Sequence, residues 1–147
     1  MSRYPLVPLG EFLTLALDQV AVRPEETYRT AGIYSFGRGL FARASFLGAE
    51  TKYSTLFRLR EGQFVLSRLK AFEGAIAVVP ENLTGVFVSQ EFPTFDIDPA
   101  RADTRFVAWL CRWSHFWAEL AAHSRGVGAR RERVHPEQLL SVTVPLP

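Results

Sequence analysis

The stretch Gln63-Phe64-Val65-Leu66-Ser67-Arg68-Leu69-Lys70-Ala71-Phe72-Glu73-Gly74-Ala75-Ile76-Ala77-Val78-Val79 decides the fold class. Its two ends are apolar runs of strand length, rich in β-branched and aromatic residues. Glu73-Gly74 between them is a turn signal, because glycine accepts the positive φ that tight turns require. Strands are expected over residues 63–69 and 75–79. In the first, Phe64, Leu66 and Leu69 are placed toward the core. The alternation slips near Arg68, so the register stays open.

The same texture extends outward in both directions. Strands are expected over 28–34, 53–58, 86–88 and 92–95, separated by Phe36-Gly37-Arg38-Gly39, Glu61-Gly62, Pro80-Glu81-Asn82 and Thr84-Gly85. Downstream, Asp98-Pro99 reads as a helix start, since Asp caps free N–H groups and Pro is tolerated in the first turn. That helix is expected to run to about Ser124, with Phe106, Leu110, Trp113, Trp117 and Leu120 forming one apolar stripe. Arg105, Arg112 and Glu119 fall largely off the stripe, and Gly126 and Gly128 end the helix. Upstream, Leu9, Phe12, Leu13, Ala16 and Leu17 follow helical spacing and predict a short helix packed on a sheet. Pro136 opens a brief helix through Leu140, and residues 142–147 alternate like a final strand. The expected class is α+β: a twisted mixed β-sheet with a few packed helices, in a single domain over residues 1–147.

Composition narrows the possibilities. At 147 residues the chain suits one domain with one real core. With 48% hydrophobic and 22% charged residues it is globular rather than disordered. No apolar run approaches the roughly 20 residues that cross a bilayer. Met1-Ser2-Arg3-Tyr4-Pro5 does not begin a signal peptide, and the single cysteine, Cys111, excludes an internal disulfide. A cytoplasmic protein without a membrane partner is therefore expected. Net charge is only +2, but it is segregated. Between Arg29 and Lys70 stand Arg29, Arg38, Arg43, Lys52, Arg58, Arg60, Arg68 and Lys70, opposed by Glu50 and Glu61. A second basic cluster is Arg125, Arg130, Arg131 and Arg133, with His135 nearby. The acids gather elsewhere, so one face can be positive and attract a polyanion. The plainer reading is that these cations only keep the chain soluble.

Catalytic motifs are sparse. Phe36-Gly37-Arg38-Gly39 faintly resembles the glycine-rich loop of S-adenosylmethionine-dependent methyltransferases, but turns alone explain two glycines. The Asn/Asp-Pro-Pro-aromatic motif of amino-methyltransferases is absent: Asn82 precedes Leu83, and Asp98-Pro99 precedes Ala100. Glu50-Thr51-Lys52 has the Glu-x-Lys form of metal-dependent nucleases, yet the only upstream aspartate is Asp18, and Mg²⁺ needs converging carboxylates. Cys111 and His115 have a spacing that zinc sites use, but Cys111 reads more simply as a core thiol. There is no Gly-x-Ser-x-Gly elbow. Asn82-Leu83-Thr84 is a glycosylation sequon that matters only in a secreted chain. No catalytic residue, metal or cofactor is expected.

What remains is a set of basic residues interleaved with aromatic and small polar ones. Arg38 lies in a Gly-x-Gly loop. Arg43, Lys52, Tyr53, Ser54 and Thr55 are assigned to the next loop and strand, and Arg68, Lys70 and Phe72 follow. Arg130 and Arg131 are assigned to the loop after the long helix. Arginine bonds guanine bidentately, while Lys, Ser and Thr bond phosphates, so loops on a rigid sheet with these residues suit double-stranded DNA.

The sequence as a whole resembles the target-recognition domains of type I restriction-modification specificity subunits. The resemblance is carried by Ala31-Gly32-Ile33-Tyr34-Ser35-Phe36-Gly37-Arg38-Gly39-Leu40-Phe41, by Glu50-Thr51-Lys52-Tyr53-Ser54-Thr55-Leu56, by residues 59–75, and by Val88-Ser89-Gln90-Glu91-Phe92-Pro93-Thr94-Phe95. It closes with residues 126–133 and Leu139-Leu140-Ser141-Val142-Thr143-Val144-Pro145-Leu146-Pro147. Order and spacing carry it, and no single piece is diagnostic. It implies a module that reads one half of a split DNA target without catalysis, in a complex with methylation subunits and, for cleavage, restriction subunits. The family's spacer helix would follow Pro147 and is expected to be absent from this chain. Base-contacting residues vary with the target, so the resemblance transfers none. From charge and loop position, the expected DNA surface is Arg38, Arg43, Lys52, Tyr53, Ser54, Arg68, Lys70, Arg130 and Arg131. Two other readings stay open: a protein-interaction or assembly module without DNA reading, and a metal-dependent nuclease using Glu50 and Lys52.

Overall fold

A central pair of antiparallel strands, β7 (Phe64–Leu66) and β8 (Ile76–Val78), forms the wall on which the chain is built. The structure, a computed structural model, describes residues 4–123 and 134–147. Side chains alternate across a strand. Phe64, Leu66 and Ile76 belong to one apolar core, and Val65 and Ala77 to a second. Both faces of this wall are buried, which explains why the sequence reads as a continuous apolar run rather than a clean alternation. Leu69 does not join either core. The chain turns after Leu66, and Leu69 is exposed, so the expected strand to residue 69 ends three residues early.

The first core lies between this wall and the helices. Its sheet has the order β2 (Leu13–Leu15), β10 (Thr94–Ile97), β7, β8, all neighbours antiparallel. Phe64 and Phe95 meet edge to face with ring centroids 5.8 Å apart. Against them pack Val107 and Leu110 of helix α1 (Thr104–Leu110), Phe116 and Leu120 of α2 (Ser114–His123), and Leu139 of α3 (Pro136–Ser141). β1 (Leu6–Pro8) and β11 (Thr143–Pro145) pair antiparallel and bring the two ends of the chain together. The second core lies on the other side of the wall. It is covered by a five-stranded sheet of order β3 (Gln19–Ala21), β6 (Thr55–Arg58), β9 (Phe87–Val88), β4 (Thr27–Ile33), β5 (Leu40–Leu47). The β4–β9 pair is parallel and its other pairs are antiparallel, so this sheet is mixed, and the class is α+β as expected.

The buried side chains of Thr94 and Gln63 are satisfied, as a dry interior requires. Thr94 Oγ1 donates to the Ala16 carbonyl at 2.6 Å. Gln63 accepts from the Arg60 N–H at 3.0 Å and donates to Asp96 Oδ1 at 3.1 Å.

Further expectations are corrected. Residues 9–17 form no helix: a 3-10 turn (Leu9–Glu11) runs into β2, which pairs with β10. The turn and strand still bury Leu9, Phe12 and Leu13, so the apolar spacing is real but another backbone uses it. The helix expected from Asp98 starts at Thr104, with Asp103 as its cap. Asp98 makes a local turn with the Ala100 N–H at 3.0 Å, whereas Asp103 Oδ1 caps α1 by accepting the Arg105 N–H at 2.7 Å. The Arg105 side chain and N–H hold the Asp103 carboxyl below its ordinary pKa. That helix is also broken between α1 and α2, where Trp117 Nε1 donates to the Cys111 carbonyl at 2.8 Å. Finally, β5 is the longest strand, and it was not expected.

Candidate nucleic-acid interface

The hairpin β4–β5 forms one wall of an open groove of about 610 Å³. On β5, Phe41 and Arg43 are two residues apart and share a face, and both line the groove. The opposite wall is the turn from Ser67 to Lys70 together with Ser89, Glu91 and Phe92, and Tyr53 closes one side. Lys70 is fixed at its root, since its N–H donates to Ser67 Oγ at 3.1 Å. The Ser67 N–H in turn donates to the Ala75 carbonyl at 2.9 Å. The lining thus holds two cations, Arg43 and Lys70, and one carboxylate, Glu91, among aromatic rings.

Beyond the groove a row of rings and guanidinium groups continues along the hairpin. The Arg43 guanidinium lies 5.8 Å from the Phe41 ring centroid. Phe41 stacks on Tyr34 with centroids 4.2 Å apart, and Arg38 lies 4.9 Å over Tyr34. Guanidinium planes resting on rings keep their donors pointing outward and lose less side-chain freedom on binding. The remaining cations separate by pairing. Arg58 faces Asp18 at 3.8 Å and Arg60 faces Asp96 at 3.1 Å. Arg38, Arg43, Lys52 and Lys70 make no ion pair among the described residues.

Of the residues expected to touch DNA, Arg43, Tyr53 and Lys70 come together in the groove, and Arg38 extends it. Lys52 and Ser54 are exposed on the segment before β6 and flank Tyr53 without lining the groove. Arg68 is half-buried. Its Nη2 donates to His135 Nδ1 at 3.2 Å, which places the histidine proton on Nε2, because arginine has no acceptor. Arg68 Nε is buried with no partner among the described residues. Its backbone joins Glu91 and Val134 through bonds of 2.9 and 2.8 Å. Arg68 therefore ties the groove turn to the C-terminal segment more than it faces solvent. Arg130 and Arg131, with Arg125 and Arg133, lie outside the described residues. Sequence reading missed Tyr34, Phe36, Phe41 and Phe92. Only the alternation of Phe41, Arg43 and Ser45 on β5 signals this face, and the preceding glycines mask it.

Glu50 of the Glu-x-Lys motif is committed locally, its Oε1 accepting the Leu47 N–H at 2.9 Å. Among the described residues no three His, Cys, Asp or Glu side chains gather as metal ligands would. Cys111 is buried in the first core and His115 is exposed beside Glu119 at 3.8 Å, so the two do not converge. Burial pushes the Cys111 thiol well above its ordinary pKa. The thiolate is the reactive form, so Cys111 is expected to resist a thiol-specific reagent at pH 8 in the native chain and to react once the chain is unfolded. Rapid native labelling would show that the first core opens readily.

Fold and groove together define an α+β domain with a basic, aromatic recess at the edge of a mixed sheet. No protein-family model matches the chain, and no curated protein matches it. Solved structures do. The HsdS subunit from Thermoanaerobacter tengcongensis matches with a TM-score of 0.76 at 22% identity, over 98% of this chain and 38% of that one. A second structure, described as the basis of complex assembly and conformational transition of the type I R-M system, matches with a TM-score of 0.78 at 23% identity. That match covers 100% of this chain and 40% of the other. The chain has the fold found in these proteins and spans about two fifths of their length. No helix among the described residues is long and apolar enough to cross a membrane.

Proposed function

We propose that this chain is a target-recognition domain that reads one half-site of double-stranded DNA as the specificity module of a type I restriction-modification complex. The observation that carries the reading is the groove. Arg43 and Lys70 line it and make no ion pair among the described residues, aromatic rings line it too, and Arg38 continues it, all on a scaffold shared with HsdS. Unpaired cations displace counterions from phosphates, and arginine also reads base edges. The domain recognises DNA and leaves the chemistry to others. Methylation and restriction subunits supply the reactions, and no cofactor is needed here. A cytoplasmic location follows from such a role.

A second reading has its own support. An apolar recess beside the β1–β11 pair is lined by Leu6, Phe106, Trp109 and Trp113, and Trp109 is 52% exposed. A face of this kind suits a protein partner. It supports an assembly module, which would bind methylation subunits with no affinity for DNA.

The purified chain incubated with a randomised duplex pool at low salt is expected to enrich a short asymmetric motif of a few base pairs. Binding without enrichment would leave only a basic surface. No binding would favour the assembly module.

A further inference from the structure

Phe36 is the one non-glycine residue with positive φ, 64°, among the described residues. For a bulky side chain this backbone is a strained outlier, and such strain persists only where the surroundings impose it. Here they do. The Phe36 N–H donates to the Glu73 carbonyl at 2.7 Å and the Gly37 N–H to the Gly74 carbonyl at 3.0 Å. Ser35 Oγ donates to Glu73 Oε2 at 3.1 Å. The loop is also pressed into the break between α1 and α2: a Cβ at Gly37 would lie 2.8 Å from Arg112 Cα, and one at Gly74 would lie 2.6 Å from the Trp117 ring. Both glycines have positive φ.

The outcome of this bracing is an exposed ring. Phe36 is 61% exposed, with the Trp117 ring 6.1 Å to one side and the Arg38 guanidinium 5.9 Å to the other. Arg38 donates from Nε to the Ser35 carbonyl at 2.9 Å, which leaves its two terminal nitrogens for a ligand. Through Arg38, Tyr34 and Phe41 the ring stands at the outer end of the row that leads out of the groove. A rigid apolar projection beside Arg38, which makes no ion pair among the described residues, matches a nucleic-acid duplex better than a protein partner. The guanidinium meets a phosphate, and the ring meets the flat apolar faces of bases.

We propose that Phe36 is a wedge that inserts at a base step of the bound duplex while Arg38 holds the adjoining phosphate. The inference rests on the DNA-reading function and adds a mode of selection to it. Opening a base step is cheapest at flexible pyrimidine–purine steps, so a wedge favours sequences that deform easily even where no hydrogen bond reads them. The locked backbone matters, because a hinge that yields would transmit no force to the stack.

The test measures bending of the duplex most enriched in the pool selection, by circular-permutation gel shift with the full chain. Wild type is expected to kink the duplex by roughly 20–90°, as side-chain wedges do. Phe36→Gly is expected to lose the kink while its melting temperature stays the same or rises, because glycine suits the positive φ. Phe36→Leu is expected to keep the kink. Binding without a kink, or an equal kink with Phe36→Gly, overturns the wedge and leaves DNA reading intact. No binding by the wild-type chain overturns DNA reading, and the wedge with it.

Discussion

Replacing Arg43 and Lys70 together by alanine is expected to weaken DNA binding roughly thirtyfold near physiological salt and to flatten its salt dependence by about two units. Each phosphate neutralised on a duplex contributes a slope of about 0.9 in log affinity against log salt. Two lost contacts therefore cost little near 1 M salt and most where counterions are dilute. Both side chains are exposed, so the fold is expected to survive, since surface substitutions usually stay within about 0.5 kcal/mol. Both also sit on braced backbone, Arg43 on β5 opposite Thr30 and Lys70 at the end of the Ser67 turn. Titrations at several salt concentrations check the outcome. An unchanged slope would mean that the groove does not meet phosphates. If sequence preference relaxes while the slope barely moves, one of the two side chains reads a base instead.

Phe64→Ala is expected to cost about 3–5 kcal/mol of folding free energy, the usual range for truncating a fully buried phenylalanine. The melting temperature should fall by roughly 10–15 °C in a domain of this size. Phe64 is 1% exposed, opens β7 and packs on Phe95. Its neighbour Val65 points into the other core. A void beside Phe95 therefore loosens the wall that both cores share. Total stabilities run only to about 5–15 kcal/mol, so the loss is a large fraction of the whole. Urea denaturation followed by tryptophan fluorescence would measure it. A change below about 1 kcal/mol would show that the first core closes over the void.

Much of this architecture was legible in the sequence where local chemistry and tertiary need agree. The strands around Val65, Ala77, Phe57 and Phe95 are rich in β-formers and bounded by glycine or proline. The short helix after His135 and the last strand were legible for the same reason. The failures have a common cause. Leu9, Phe12 and Leu13 suit a helix face equally well, and only the open edge of β10, distant in sequence, draws residues 13–15 into a strand. Asp98 and Asp103 both offer a cap, and nothing local says which of two similar turns continues as helix. The groove was legible as a supply of cations but not as an arrangement. Residues 40–47 carry no strand expectation, and their alanine, arginine and serine are poor strand signals. The partners that bring Arg43 opposite Lys70 come from the register of β4 with β5. The positive φ of Phe36 has no sequence signal beyond the glycines that follow it.

The order of the five-stranded sheet ends at β5, which pairs with β4 alone. Most of its side chains are exposed and only Phe41, Phe46 and Leu40 are partly covered. Exchanges at its outward positions leave the shared wall of β7 and β8 untouched. Under the proposed DNA-reading role, a lineage bearing this scaffold can thus rewrite its recognition alphabet one letter at a time while each intermediate still folds.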